Sequence, residues 1–297
     1  MATAMTILIS GSTGFIGSAA AAHFQSAGHT VLRLSRSPGK GAINWQPMAG
    51  RMDALPDHVD AVVHLAGENI FGRWTKRKKE RICASRVHGT TLLADQIAAM
   101  RCKPKALICA SAVGYYGNGG DAILTEQSPP GDGFLSRVCR DWQAAAEPAR
   151  QAGIRTVHLR LGMVLDKNGG ALAKMLPAFK LGLGGVLGGG TQWVSWISRV
   201  DVVRIIDFAI QTETLSGPAN AVSPQPVQNR LLTRTLGRLL HRPTFLAAPA
   251  AVLRLGLGDF AQETLLASSR AVPEKLLKAG FTFTHPTLEE AVSAAIS

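Results

Sequence analysis

Thr6-Ile7-Leu8-Ile9 runs directly into Ser10-Gly11-Ser12-Thr13-Gly14-Phe15-Ile16-Gly17, and a helical stretch, Ser18 to Ala27, follows. An aliphatic strand joined to a helix through glycines three apart leaves few folds open. Gly11, Gly14 and Gly17 let backbone approach a pyrophosphate at a helix N-terminus. The second strand, Thr30 to Leu34, ends in Ser35-Arg36-Ser37, and the first acidic residue of the chain is Asp53. A site for NAD places Asp or Glu about 20 residues beyond the glycines, on the ribose 2′-hydroxyl. A cation and two hydroxyls at that strand end suit a 2′-phosphate instead, so the expected cofactor is NADP(H). Strand alternation leaves Arg33 pointing either to solvent or to the cofactor.

The next elements repeat the alternation. An irregular stretch, Gly39 to Asp57, precedes the strand Ala61-Val62-Val63-His64-Leu65, and a long helix runs to about Ala99. The strand Ala106 to Ala110, a helix from about Phe134 to Gln151 and the strand Thr156 to Arg160 complete the series. This order predicts an α/β protein: a Rossmann-type, doubly wound parallel sheet with helices on both faces. Ligands of such sheets bind beyond the strand C-termini. Gly11, Arg36, Leu65-Ala66-Gly67, Ser111 and Leu161 to Val164 should therefore surround one crevice. After Asp166 the composition changes: Gly182 to Gly190 is glycine-rich, without the Lys-Ser/Thr of a P-loop. The last seventy residues predict small helices, with Pro273 in a first turn, Gly280 as a stop, and a capping box at Thr287-Leu288-Glu289-Glu290. The division expected is a cofactor-binding domain over 1–165 and a smaller α+β region on the substrate side over 166–297, with segments crossing between them.

Bulk properties narrow the partners. With 297 residues, 46% of them hydrophobic, the chain can bury one large core or two smaller ones. Cys83, Cys102, Cys109 and Cys139 show no C-x-x-C spacing, which suits free thiols in a reducing cytoplasm, and no metal site is expected. Met1-Ala2-Thr3-Ala4 leads straight into the first strand, with no secretory leader, and the six glycines of Leu181 to Ser198 exclude it as a membrane span. The net charge of +12 raises nucleic acid as a partner. Its densest run, Lys76-Arg77-Lys78-Lys79, begins a helix capped by Thr75, which favours a solvated face over a nucleic-acid patch. The partner expected is a small molecule, with neither nucleic acid nor membrane.

These residues resemble the extended branch of the short-chain dehydrogenase/reductase superfamily, which holds sugar-nucleotide epimerases and dehydratases. Gly11 to Gly17 matches its glycine motif, and Val62-Val63-His64-Leu65-Ala66-Gly67 resembles the strand whose end lies along the cofactor. Arg86-Val87-His88-Gly89-Thr90-Thr91-Leu92-Leu93 resembles its N-V-x-G-T-x-x-L-L helix with Arg86 in place of Asn. Trp196 to Val202 resembles its F-I-H-V-x-D-V segment. Ala66 to Ile70, Ser111 to Gly117, Leu181 to Gly185, Gln192 to Ile197 and the tail through Phe281 are most similar to an atypical subgroup of epimerase family proteins.

The resemblance implies a Tyr with Lys four residues later as the proton-transfer couple. The only tyrosines are Tyr115 and Tyr116, followed four residues on by Gly119 and Gly120, so that couple is missing. One register of Gly133 to Cys139 puts Gly133 and Arg137 at its positions; another puts Leu135 and Cys139 there. Ser111, with Ala112 as the competing register, and Tyr116 are the remaining catalytic candidates. Cofactor contacts are expected from Gly11, Ser12, Thr13, Gly14, Phe15, Ile16, Gly17, Ser35, Arg36, Leu65, Ala66, Gly67, Arg86 and Val164. Arg86 either reaches a phosphate or the nicotinamide end, or pairs with an acid on a neighbouring element. Glu68 and Asn69 belong near the ribose or the crevice wall, and Trp193 and Trp196 line a crevice or pack the second domain. Two functions follow: an NADP(H)-dependent oxidoreductase or epimerase-like enzyme acting on an oxygenated, nucleotide-linked or other small molecule, or an inactive module that senses NADPH.

Overall fold

The computed structural model describes residues 4–37, 39 and 41–297. Met1 to Thr3, read as leading into the first strand, lie outside the described residues. The chain begins β1 (Thr6–Ser10), α1 (Phe15–Ser26), β2 (Thr30–Ser35), β3 (Ala42–Gln46), β4 (Arg51–Met52), β5 (Ala61–His64), α2 (Lys76–Ala99) and β6 (Ala106–Ala112). Next come β7 (Ile123–Leu124), α3 (Phe134–Ala144), α4 (Glu147–Gln151), β8 (Arg155–Leu161), β9 (Met163–Leu165), α5 (Gly170–Lys180), β10 (Gly185–Leu187), β11 (Trp193–Val194) and β12 (Trp196–Ser198). The rest is α6 (Arg199–Gln211), β13 (Gly217–Ala221), β14 (Val227–Gln228), α7 (Asn229–Leu239), β15 (Leu246–Ala248), α8 (Ala250–Leu257), β16 (Arg270–Ala271), α9 (Glu274–Lys278) and α10 (Leu288–Ile296).

Eight strands form the main sheet in the order β13-β8-β6-β5-β1-β2-β3-β4, parallel except where β4 turns back along β3. The doubly wound α/β architecture is as the alternation predicted. Strand order reverses at β1, between β2 and β5, and ligands of such sheets bind beyond the strand C-termini at that point. Alternating side chains supply both faces. Ile7 and Ile9 bury with Ile205 and Ile206 of α6, while Leu8 buries with Leu93 and Ile97 of α2. Beyond residue 165, α6 and β13 return to this sheet, whereas α5, α7 and α10 build a separate core with Leu172, Leu176, Trp196, Leu236 and Val292.

Three local expectations are corrected. The stretch from Gly39 to Asp57 contains β3 and β4, because Trp45 is anchored edge-on against His64 and over Gly89, contacts supplied by distant segments. The helix expected over Phe134 to Gln151 breaks into α3 and α4 at Ala145-Ala146, just before Pro148, whose nitrogen has no hydrogen to donate. The C-terminal stretch contains β15 and β16 besides its helices. By contrast, Thr75 caps α2 through the Lys78 N–H, and Thr287 and Glu290 form the capping box.

Candidate functional site

The glycines let the backbone close up in different ways. Gly11 has φ +69°, and a Cβ there would stand 2.9 Å from the backbone of Leu65 and Ala66. At Gly17 a Cβ would be 2.1 Å from the Gly11 carbonyl, so helix and turn close only around hydrogen. Gly14 is exposed, and a Cβ there would meet only the Gly11 oxygen, at 3.1 Å. Ser12 is buried beneath the turn and Thr13 is exposed on it. No side chain caps α1 and no acid lies in its first turn, so a twelve-residue helix presents a bare, positive N-terminus beyond the end of β1. Phe15 packs against Gly169 and Gly170, a Cβ on Gly170 would stand 3.0 Å from the Val164 carbonyl, and Ile16, Leu65 and Val164 rest on the core below.

A relay of hydrogen bonds fixes the strand ends under this loop. The Leu65 N–H donates to Ser10 Oγ at 3.2 Å, and Ser10 Oγ lies 2.6 Å from His64 Nδ1. His64 Nε2 lies 3.0 Å from Thr90 Oγ1, which donates to the Arg86 carbonyl at 2.6 Å. Each hydroxyl donates once only if His64 is neutral with its hydrogen on Nε2. Burial, aided by the Arg86 charge, lowers the His64 pKa to about 4. The folded state therefore binds fewer protons than the unfolded chain between about pH 4 and 6.5. Stability is complete above that window and falls as the pH drops through it, by about 3 kcal/mol for this histidine. Urea midpoints should decline from pH 7 to 4.5, and His64→Gln should roughly halve the slope, since burial lowers His158 to about 4 as well. An unchanged slope in that variant would refute the assignment.

At the end of β2, Arg36 is exposed, Ser35 Oγ accepts from the Ser37 N–H, and the Arg36 carbonyl accepts from Gln46. Glu68 faces this end. The hydrogen bond from Lys78 holds its carboxyl below the usual range, with Arg81 and Arg36 adding to the effect. Lys78 and Arg81 thus join the cationic rim, a placement the sequence run 76–79 did not reveal. Asn69 closes a turn onto the Phe71 N–H.

Arg86 lies deeper. Its guanidinium sits 4.9 Å over the Trp142 ring, donates to the Glu68 and Ile82 carbonyls, and rests where a Cβ on Gly67 would meet it at 3.3 Å. Among the described residues it has no carboxylate partner within 4 Å, so the acid-paired alternative is not what the fold builds. Burial lowers its basicity, offset in part by Cys139, Glu68 and Cys83 nearby.

Neither catalytic candidate opens to solvent. Ser111, 2% exposed, accepts from Gln143 Nε2 at 2.8 Å, with the Cys139 thiol against it. Burial pushes that thiol up to about 11, so Cys139 stays protonated. Arg137 is exposed, so α3 turns Cys139 rather than Arg137 toward the end of β6. Tyr116, 3% exposed, has its hydroxyl 2.7 Å from Asn220 Oδ1 and 2.9 Å from the Thr125 carbonyl, and accepts from Arg160 at 2.8 Å. That phenol ties β13 to the loop after β6 and is pushed up by burial. Trp196 is fully buried, and Trp193 donates to Asp121 beneath Arg270. Glu263 escaped sequence reading altogether. Its carboxylate accepts from the N–H groups of Phe134 and Leu135, capping α3 from about 130 residues away.

A doubly wound sheet with a bare helix N-terminus at its switch point defines a dinucleotide-binding fold. Residues 7–222 match the NAD dependent epimerase/dehydratase family, to which the chain belongs, and residues 248–295 match a domain of unknown function, DUF1731. The chain is 45% identical to epimerase family protein Mb2239 of Mycobacterium bovis over 97% of each. The crystal structure of human epimerase family protein SDR39U1 with NADPH aligns with TM-score 0.92 at 36% identity, covering 98% of this chain and 99% of that one. A nucleoside-diphosphate sugar epimerase from Corynebacterium glutamicum aligns with TM-score 0.83 at 38% identity, over 99% of this chain and 58% of that one. The resemblance to extended short-chain dehydrogenases/reductases is thereby established. No helix among the described residues is long and apolar enough to cross a membrane.

Proposed function

We propose that this protein binds NADP(H) and acts in the cytoplasm as an oxidoreductase or epimerase-like enzyme on a small carbonyl or hydroxyl compound, nucleotide-linked or not. The observation that carries the reading is the uncapped α1 N-terminus beside Gly11 and Gly14, with the exposed Arg36 at the neighbouring strand end. The NADPH in the human relative's structure supports it. Gly11, Ser12, Thr13, Gly14, Phe15, Ile16 and Gly17 cradle the pyrophosphate, and Ser35 and Arg36 take the 2′-phosphate. Leu65, Ala66, Gly67 and Val164 flank the dinucleotide, and Arg86 places a positive charge at the inner end. Residues 1–165 hold the cofactor and 166–297 enclose the substrate side.

Bound NADPH supplies a hydride. Ser111 accepts from Gln143 and lies against the Cys139 thiol, so its hydroxyl must turn from that sulfur to meet a substrate oxygen. Tyr116 is occupied in its own network, so proton delivery falls to Ser111 or water, and the chemistry is slow and narrow. The burial of both Ser111 and Tyr116 favours a second reading, an NADPH sensor without turnover. Single-turnover oxidation of bound NADPH by a panel of carbonyls and sugar nucleotides separates the two. Failure across the panel, with binding intact, selects the sensor.

Replacing Arg36 with Ala should weaken NADP binding about 10- to 100-fold, because a charge-assisted contact contributes roughly 1.5–3 kcal/mol. Affinity for NAD should hardly change. Calorimetric titration of both cofactors checks this, and equal losses would make Arg36 structural.

A further inference from the structure

From Thr214 to Gly258 the chain carries five arginines and not one carboxylate side chain. Residues 167–200 carry three lysines and one arginine, again without an acid. The fold weaves these stretches together. β10 pairs in parallel with β15, Gly185 opposite Leu246, and Arg242 Nε donates to the Lys180 carbonyl at 2.8 Å. α8 starts beside Gly188, where a Cβ would lie 3.7 Å from that of Ala250.

Six apolar side chains stand out of this surface: Leu181 (75% exposed), Leu183 (60%), Phe245 (80%), Leu246 (40%), Val252 (61%) and Leu255 (81%). α8 buries none of its residues. Around them Lys180, Arg230, Arg234, Arg242 and Arg254 have no carboxylate within 4 Å among the described residues. Clustered exposed apolar side chains mark an interaction surface.

We propose that this face docks the protein peripherally on an anionic lipid bilayer, with Phe245, Leu255 and their neighbours entering the headgroup layer and the cations meeting lipid phosphates. A second copy fits poorly, since two faces, each with five cations that lack a carboxylate within 4 Å among the described residues, would oppose each other. The apolar side chains protrude from separate elements, which suits insertion among lipids better than the anchor-and-pocket fit of a folded acidic partner. Contact stays at headgroup level, as no described helix can span. This contact is independent of the cofactor reading.

The test is flotation of the full-length protein with phosphatidylcholine vesicles, with and without one-third phosphatidylglycerol. Wild type should float with the anionic vesicles alone, with binding that weakens as salt is raised. Phe245→Ser with Leu255→Ser should reduce the bound fraction about tenfold, with circular dichroism unchanged. Arg234→Gln with Arg242→Gln should weaken binding and flatten its salt dependence. Absence of flotation overturns the proposal, as does full binding by the serine variant, which would be mere electrostatic adsorption. A wild-type dimer that the serine variant dissociates would assign the face to a second copy. Retention on an immobilised acidic polypeptide without flotation would assign it to an acidic protein.

Discussion

Gly14→Val should leave the protein folded and weaken NADPH binding at least about 100-fold, a loss of roughly 2.7 kcal/mol or more. Gly14 precedes α1 with φ −78° and ψ 175°, which any residue adopts, and only the Gly11 oxygen stands near its missing Cβ. An isopropyl group there projects from the bare helix N-terminus, where a pyrophosphate must approach backbone. Gly17→Ala is the contrasting variant. Its Cβ would fall 2.1 Å from the Gly11 carbonyl, so the turn must move and the fold itself loses stability. Fluorescence titration with NADPH, beside urea unfolding, distinguishes the two. Normal NADPH affinity in Gly14→Val would remove the cofactor from this loop.

What the sequence disclosed follows how local each cause is. The glycine turn before α1, the end of β2 at Ser35, the Thr75 cap and the Thr287 capping box are each written within a few residues, and each lies where the sequence puts it. β3 was hidden because Trp45 is buried by Gly89 and His64, which come from other elements. The role of Tyr116 was illegible for the same reason, since its partners Arg160 and Asn220 lie 44 and 104 positions away. Arg86 shows the middle case. Its unusual identity on α2 was visible, but its seat on Trp142, between Glu68 and Cys139, depends on how α2 and α3 meet. Glu263 gave no signal, because a carboxylate that caps a helix from another region matches no short motif.

Asp201→Ala should destabilise the protein by about 2–4 kcal/mol, since hydrogen bonds to a charged group contribute roughly 1.5–3 kcal/mol each and several are lost together. Asp201 opens α6 and is fully buried. Its carboxylate accepts from Ser198 Oγ at 2.8 Å, from the N–H groups of Thr284 and His285 at 2.7 and 3.0 Å, and from Arg204 at 3.2 Å. Those donors join the helix that packs beside α1 to the segment leading into α10, so one side chain couples the cofactor sheet to the C-terminal region. Alanine leaves the half-buried N–H groups of Thr284 and His285 without their acceptor, and Asn offers an amide donor where a donor already points, so it should restore only part of the loss. The melting temperature should fall by roughly 10 °C. Because neither the glycine loop nor Arg36 is touched, cofactor affinity measured well below the transition should stay near wild type. A melting temperature unchanged in Asp201→Ala would show that the two regions are joined by packing alone.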